Sequence, residues 1–181
     1  MFFQQDSKNL KPYQLSPMVN VQNGSYKSVL YAGLAPGKYN KSTNTQRSLD
    51  DDLKVIANSN VKVIICLMQW SELEKLKIIN YPRKAQEYGF IFYHLPIIDG
   101  SYPNDSDVNS VINIAKCHLS KGQSVLIHCR EGKNRTGLIC GCCLVKFGYN
   151  RYEVIEKIQN CRPGSLQSIN QQKYITSFKN Y

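Results

Sequence analysis

The chain has 181 residues, 42% of them apolar and 20% charged, which suits one soluble globular domain with a single sizeable core. No stretch approaches the roughly 20 apolar residues of a bilayer-spanning helix. The formal net charge of +10 favours acidic partners such as phosphorylated proteins, inositol phosphates, anionic membranes or RNA, although solubility and coding bias explain it equally well.

The start, MFFQQDSKNLKPYQ, lacks the basic-then-apolar order of a signal peptide. Seven cysteines, an odd number with Cys140, Cys142 and Cys143 bunched together, do not resemble a secreted disulfide framework. A reducing compartment, cytoplasm or nucleus, is the expectation. Export into another cell by a specialised system is also compatible with the sequence, which is silent on oligomeric state.

In chain order, residues 1–27 are polar, carry Pro12, Pro17 and Gly24 without an apolar period, and read as an arm or loose cover. Residues 28–181 then form the domain. Val29–Ala32 is a short strand candidate ended by Gly33 and the Ala35-Pro36-Gly37 turn, and 38–45 is a polar loop. Ser48–Asn58 has helical apolar spacing, with three aspartates near its start where the helix dipole favours them. Val61–Leu67 is a continuous, mostly β-branched run, the pattern of a strand buried on both faces. Helices are expected over 71–76 and 81–88, a strand over 90–95, and a helix over 105–121. Val125–Ile127 is a third buried strand. Gly137–Phe147 reads as a helix ended by Gly148, and two more helices follow near 152–159 and 169–178. Strands alternating with helices predict an α/β fold with a mainly parallel central sheet and helices on both faces.

The chemistry gathers where the third buried strand ends, in His128-Cys129-Arg130-Glu131-Gly132-Lys133-Asn134-Arg135-Thr136-Gly137. A tight loop between a strand and a helix start turns successive backbone N–H groups inward and adds the positive end of the helix dipole, an anion site sized for phosphate. Gly132 permits backbone geometry closed to other residues, and Gly137 allows close packing where the helix begins. Arg135 offers a planar fork for two phosphate oxygens. The same field favours the thiolate of Cys129, the form that attacks phosphorus. Thr136 can donate a hydrogen bond to the sulfur, and His128 suits anchoring of the loop better than base chemistry.

HCREGKNRTG resembles the signature of the protein tyrosine phosphatase superfamily, His-Cys, five residues, Arg, then Ser or Thr. The short chain resembles the dual-specificity branch. Gly33-Leu34-Ala35-Pro36-Gly37, Asp51-Asp52-Leu53, Ile64-Ile65-Cys66, Glu72-Leu73 and Pro96-Ile97-Ile98-Asp99-Gly100 recur in the same order in kinase-associated phosphatases of the cyclin-dependent kinase inhibitor 3 type. The resemblance covers about residues 29–178. It implies a single-domain protein tyrosine phosphatase-like fold and a phosphomonoester hydrolase that works through a phosphocysteine without metal or organic cofactor.

Ester cleavage needs an acid for the leaving oxygen and a base for the water that follows. The segment 96–103 is bounded by prolines and glycine after a strand, and the resemblance implies that Asp99 is the acid. The alternative is that Asp99 starts a turn while Asp105 or Asp107 caps the next helix. Arg130 and Lys133 sit where the phosphatase-and-tensin lipid phosphatase and the plant and fungal atypical dual-specificity phosphatases carry basic residues. Their presence opens inositol polyphosphates beside phosphorylated proteins as substrates; solvated charge is the other reading. Cys66 ends the second strand, and the resemblance implies a reversible redox pairing with Cys129, against the plain alternative of a core residue. The Cys140/Cys143 pair lies one helical turn apart and reads as packing, so no metal site is expected. Four functions remain open at this point: a dual-specificity protein phosphatase, an inositol phosphate or phosphoinositide phosphatase, an RNA 5′-triphosphatase without a clear aromatic–basic patch, and a pseudophosphatase that only binds phosphorylated partners.

Overall fold

Why the Cys129 loop lies where it does follows from the order of five strands. The computed structural model describes residues 11–101 and 103–179. Strands β1 (Ser16–Asn23), β2 (Tyr26–Gly33), β5 (Val61–Cys66), β6 (Ile91–His94) and β7 (Ser124–His128) form one sheet in the order β1-β2-β7-β5-β6, with the two-residue strands β3 (Tyr39–Asn40) and β4 (Thr45–Gln46) as a separate hairpin. Only β1 runs antiparallel; β2, β7, β5 and β6 are mutually parallel. The central strand β7 is buried along its whole length, as expected for a parallel strand covered on both faces.

The side-chain alternation of a strand sorts these apolar runs into two cores. Val63, Ile65, Val125 and Ile127 face helices α4 (Asp105–Leu119), α5 (Asn134–Lys146), α6 (Glu153–Cys161) and α7 (Ile169–Ser177), whose Val111, Ile112, Leu138, Ile158 and Ile175 complete that layer. Ile64, Cys66 and Leu126 face the other way, against α1 (Leu49–Asn58), α2 (Trp70–Lys75) and α3 (Tyr81–Glu87) through Leu53, Ile56, Leu73 and Tyr81. The layout is a mixed, mostly parallel sheet between two helical layers.

Three local expectations differ from what the fold contains. Residues 1–10 of the expected arm lie outside the described residues. Its remainder is not loose: Tyr13 is buried and donates to the Leu34 carbonyl at 2.7 Å, and Ser16–Asn23 is an edge strand paired with β2. A bulge between Pro17 and Val19 breaks the two-residue alternation, which hid the strand, and an edge position tolerates a proline. The polar loop of 38–45 is the β3–β4 hairpin. Helix α5 begins at Asn134 rather than Gly137, because its first turn is polar and belongs to the site instead of the core.

Candidate active site

Parallel strands end side by side, so β2, β5 and β7 deliver Gly33, Cys66 and His128 to one row at the C-terminal edge of the sheet. The Cys129 loop, residues 129–133, follows directly. Its carbonyls are held outwards: His128 O accepts from Leu67 N at 2.9 Å, Arg130 O from Ala35 N at 3.1 Å, and Glu131 O from Arg162 Nη2 at 2.9 Å. Arg162 Nη1 is fixed in turn on Ser16 Oγ at 3.1 Å. With the carbonyls turned out, the backbone N–H groups from Arg130 to Thr136 have no acceptor among the described hydrogen bonds, and the first hydrogen bond of α5 is Gly137 N to Lys133 O. Helices α1 and α4 close their first turns with Ser48 and Asn104, whereas α5 has no side-chain cap. An open helix N-terminus joined to a ring of free amides is an anion cradle.

Gly132 makes the loop possible. Its φ is +68°, and a Cβ there would lie 2.0 Å from the Gly33 carbonyl oxygen, so any side chain would push the loop off β2.

Cys129 is 3% exposed at the bottom of this cradle. His128 behind it is fully buried, with Nε2 3.0 Å from the Tyr81 hydroxyl and Nδ1 3.2 Å from the Cys129 carbonyl. The carbonyl can only accept, which puts the ring proton on Nδ1 and leaves Nε2 to accept from Tyr81. Burial pushes the His128 pKa down to about 4 and the Tyr81 phenol well above its usual value, so both stay neutral. His128 thus connects the loop to Tyr81 of α3.

Arg135 is held from three sides. Its Nη1 and Nη2 donate to the two Glu72 carboxylate oxygens at 2.7 Å each, and Nη1 also donates to Ile97 O at 3.0 Å. Nε lies 3.1 Å from Asp99 Oδ1, a charge contact whose angle falls short of a hydrogen bond. Burial opposes the Arg135 charge, but Glu72, Cys129 and Asp99 outweigh it and raise its pKa. Burial likewise pushes the Glu72 carboxyl up, yet the bonds from Arg135 and Gln69 N–H win and hold it below the usual carboxylate range. No spacing in the sequence assigns Glu72 a role. The Gln69…Glu72 capping box of α2 is the signal that fixes its direction.

Asp99 stands on a turn closed by Ser101 N to Ile98 O at 3.2 Å, with Gly100 at φ +77°, and its side chain is 62% exposed. Asp107 accounts for its own part of the chain: its N–H is capped by Asn104 Oδ1 at 2.8 Å, and Asp105 accepts from Tyr174 at 2.6 Å. Thr136 Oγ1 is buried without a hydrogen-bond partner, so the expected bond to the sulfur is not made in this structure and the hydroxyl proton is free. Cys66 lies in register with His128, and burial pushes its thiol up to about 12. Cys140 and Cys143 are buried in α5, and among the described residues no His, Cys, Asp and Glu group could hold a metal ion.

The two rim cations separate. Arg130 lines a cleft of about 660 Å³ together with Glu72 and Asp99. Lys133, expected beside it, instead lies against Gly164, where a Cβ would meet its Nζ at 3.1 Å. Gly164 has no side chain to exclude Lys133 from this position. Among the described residues no helix is long and apolar enough to cross a membrane.

The family model described as polymorphic toxin system, DSP-PTPase phosphatase, matches residues 37–149. Cyclin-dependent kinase inhibitor 3 of Rattus norvegicus is 25% identical over 142 residues, 77% of this chain and 67% of that protein. The dual specificity protein phosphatase CDC14A of Homo sapiens is 36% identical over 91 residues, 50% of this chain but only 15% of that protein. The fold matches a crystal structure of kinase associated phosphatase, its catalytic-site cysteine replaced by serine, with a TM-score of 0.81, 22% identity and coverage of 93% of this chain and 94% of that one.

Proposed function

The chain belongs to the DSP-PTPase phosphatase family of polymorphic toxin systems and is a cysteine-dependent phosphatase; we propose that it removes phosphate from phosphotyrosine, phosphoserine or phosphothreonine in proteins, with Cys129 as nucleophile and Asp99 as acid. The observation that carries this reading is the cradle itself: Cys129 lies beneath free loop amides, beside an arginine fork clamped by Glu72.

In the first step the Cys129 sulfur attacks phosphorus and the bond to the leaving oxygen breaks, Asp99 giving that oxygen its proton. The loop amides and Arg135 hold the three equatorial oxygens as charge spreads over them. Nη1 is spent on Glu72 and Ile97, which leaves Nε and the second Nη2 hydrogen for phosphate. Asp99 sits on Nε, so an arriving phosphate oxygen takes its place there and turns the carboxyl towards the leaving group. In the second step Asp99 takes a proton from water, which attacks the phosphocysteine. The sulfur leaves as thiolate, stabilised by the unpartnered Thr136 hydroxyl.

CDC14A, one of the matched relatives, is named as a dual specificity protein phosphatase, which supports protein substrates. The test is phosphate release from phosphotyrosine and phosphothreonine peptides, inositol polyphosphates and triphosphate-ended RNA, with Cys129→Ser as control. Release from peptides that Cys129→Ser abolishes supports the reading. Release that survives Cys129→Ser overturns the nucleophile, and silence on every substrate overturns the activity in favour of a binding module.

A further inference from the structure

The cleft beside the nucleophile loop carries more positive charge than the reaction uses. Besides Glu72, Asp99 and Arg130 it is lined by Lys41 and Lys75, with Tyr39, Leu76 and Ile98 supplying apolar walls. Of its two carboxylates, Glu72 is consumed by Arg135, and Asp99 is the acid of the reaction. Lys41 and Lys75 are exposed and have no carboxylate within ion-pair distance among the described residues. Arg130 has only a long contact of 3.7 Å with its neighbour Glu131. Three cations therefore converge on one concavity whose two carboxylates are engaged by Arg135 and by the reaction.

The wall that carries Lys41 is a built element. The β3–β4 hairpin is docked on the end of α2 by Tyr39 N to Leu76 O at 3.0 Å. Its own turn is tied by Tyr39 Oη to Asn44 Oδ1 at 2.7 Å and by Ser42 N and Oγ to Asn40 Oδ1 at 3.1 and 2.8 Å. Lys77 stacks on the Tyr39 ring at 4.0 Å and fixes its outer face. Lys41 is thus presented from a braced hairpin, and Lys75 from the last turn of the helix that also carries Glu72. Both line the cleft that Ile98 and Asp99 also line.

We infer that this cleft is a second anion subsite, formed by Lys41, Lys75 and Arg130, that takes a phosphate on a peptide substrate close to the residue being dephosphorylated. The inference rests on the phosphatase reading above and adds a substrate class to it: multiply phosphorylated peptides. Lysine and arginine donors give charge-assisted bonds to phosphate oxygens, while Tyr39 and the 59% exposed Ile98 offer apolar contact to neighbouring side chains. A peptide supplies both kinds of group. An inositol polyphosphate, charged on nearly every carbon, would leave these apolar walls unmatched.

The test compares kcat/KM for one phosphopeptide with that for the same peptide carrying a second phosphate two or three residues away, using wild type and Lys41→Ala/Lys75→Ala. The wild type is expected to prefer the doubly phosphorylated peptide about tenfold, equivalent to roughly 1.4 kcal/mol. The double variant should lose most of that ratio, and 0.5 M salt should erode it in the wild type. Equal rates on both peptides with wild type would overturn the subsite while leaving the phosphatase reading intact. A preference that survives in the double variant would move the subsite elsewhere. Faster turnover of inositol hexakisphosphate than of either peptide, lost in the double variant, would keep the anion site and overturn the peptide assignment. Turnover insensitive to Cys129→Ser would instead break the underlying reading.

Discussion

Glu72 grips both terminal nitrogens of Arg135 at 2.7 Å from a helix 63 residues earlier in the chain. A guanidinium has five donors, and this clamp holds the fork in one orientation while leaving Nε without a hydrogen-bond partner. Positioning before binding lowers the ordering cost of the bound state. Glu72→Gln can accept only one of the two bonds and turns an N–H₂ group against the other nitrogen. We expect kcat/KM on an aryl phosphate to fall by about tenfold to a hundredfold, mainly through KM, and stability to fall by roughly 1–3 kcal/mol. Steady-state kinetics beside urea unfolding measure the two effects; an unchanged KM would show that Arg135 needs no clamp.

How much of this was legible in the sequence differs between the two halves of the site. Cys129, Gly132 and Arg135 are fixed by one contiguous strand-loop-helix stretch, where spacing alone carries the geometry. Glu72, Tyr81 and Arg162 reach the same loop from elements far away in the chain, and no local periodicity reports which strand ends become neighbours. The Lys133 side chain shows the converse failure: its place beside the nucleophile said nothing of the distant Gly164 against which it rests. For the fold, the continuous apolar runs of β5 and β7 were readable because burial on both faces leaves a plain signature. The bulged edge strand β1 was not, because a single register shift disrupts the alternation that would reveal it.

Asp99 rests 3.1 Å from Arg135 Nε on a turn that is otherwise open to solvent. As acid it matters most when the leaving oxygen is a poor leaving group. Asp99→Ala should therefore lower turnover of phosphothreonine peptides by about 10²–10⁴, and that of an aryl phosphate with an acidic phenol far less. Removing the carboxylate also clears Nε, so inorganic phosphate should inhibit Asp99→Ala more tightly than wild type. An unchanged rate on the phosphothreonine peptide would move the acid to Asp105 or Asp107.

Cys66 stands in register with His128, one residue before the nucleophile. Burial pushes its thiol up to about 12, so peroxide meets no thiolate there at neutral pH. Oxidation should begin at Cys129: peroxide takes two electrons from its sulfur to give a sulfenic acid and water. The Cys66 sulfur then attacks that of Cys129, a second water leaves, and an S–S bond forms. Mass spectrometry after mild peroxide should find the Cys66–Cys129 link, and dithiothreitol should restore activity. In Cys66→Ala the same treatment should carry Cys129 on to irreversible acids. Full recovery of Cys66→Ala by dithiothreitol would retire the pairing.

His128 is buried between the Tyr81 hydroxyl and the Cys129 carbonyl, and its pKa is pushed down to about 4. In the unfolded chain a histidine takes up its proton near pH 6.5. The unfolded state thus binds more protons than the folded one between these values, and stability must fall as the pH is lowered through that window. Above pH 6.5 the contribution is fully present; by about pH 4 it is lost, roughly 3 kcal/mol in all. Glu72, held low by Arg135, adds its own loss only further into acid, so the interval from pH 7 to pH 5 isolates the histidine. Urea midpoints over that interval should decline in the wild type. They should stay nearly flat in His128→Asn, whose amide can still donate to the Cys129 carbonyl but does not titrate. Matching slopes in the two proteins would mean that His128 is not held neutral, and the tie it makes between Tyr81 and the nucleophile loop would have to be redrawn with a charged ring donating from both nitrogens.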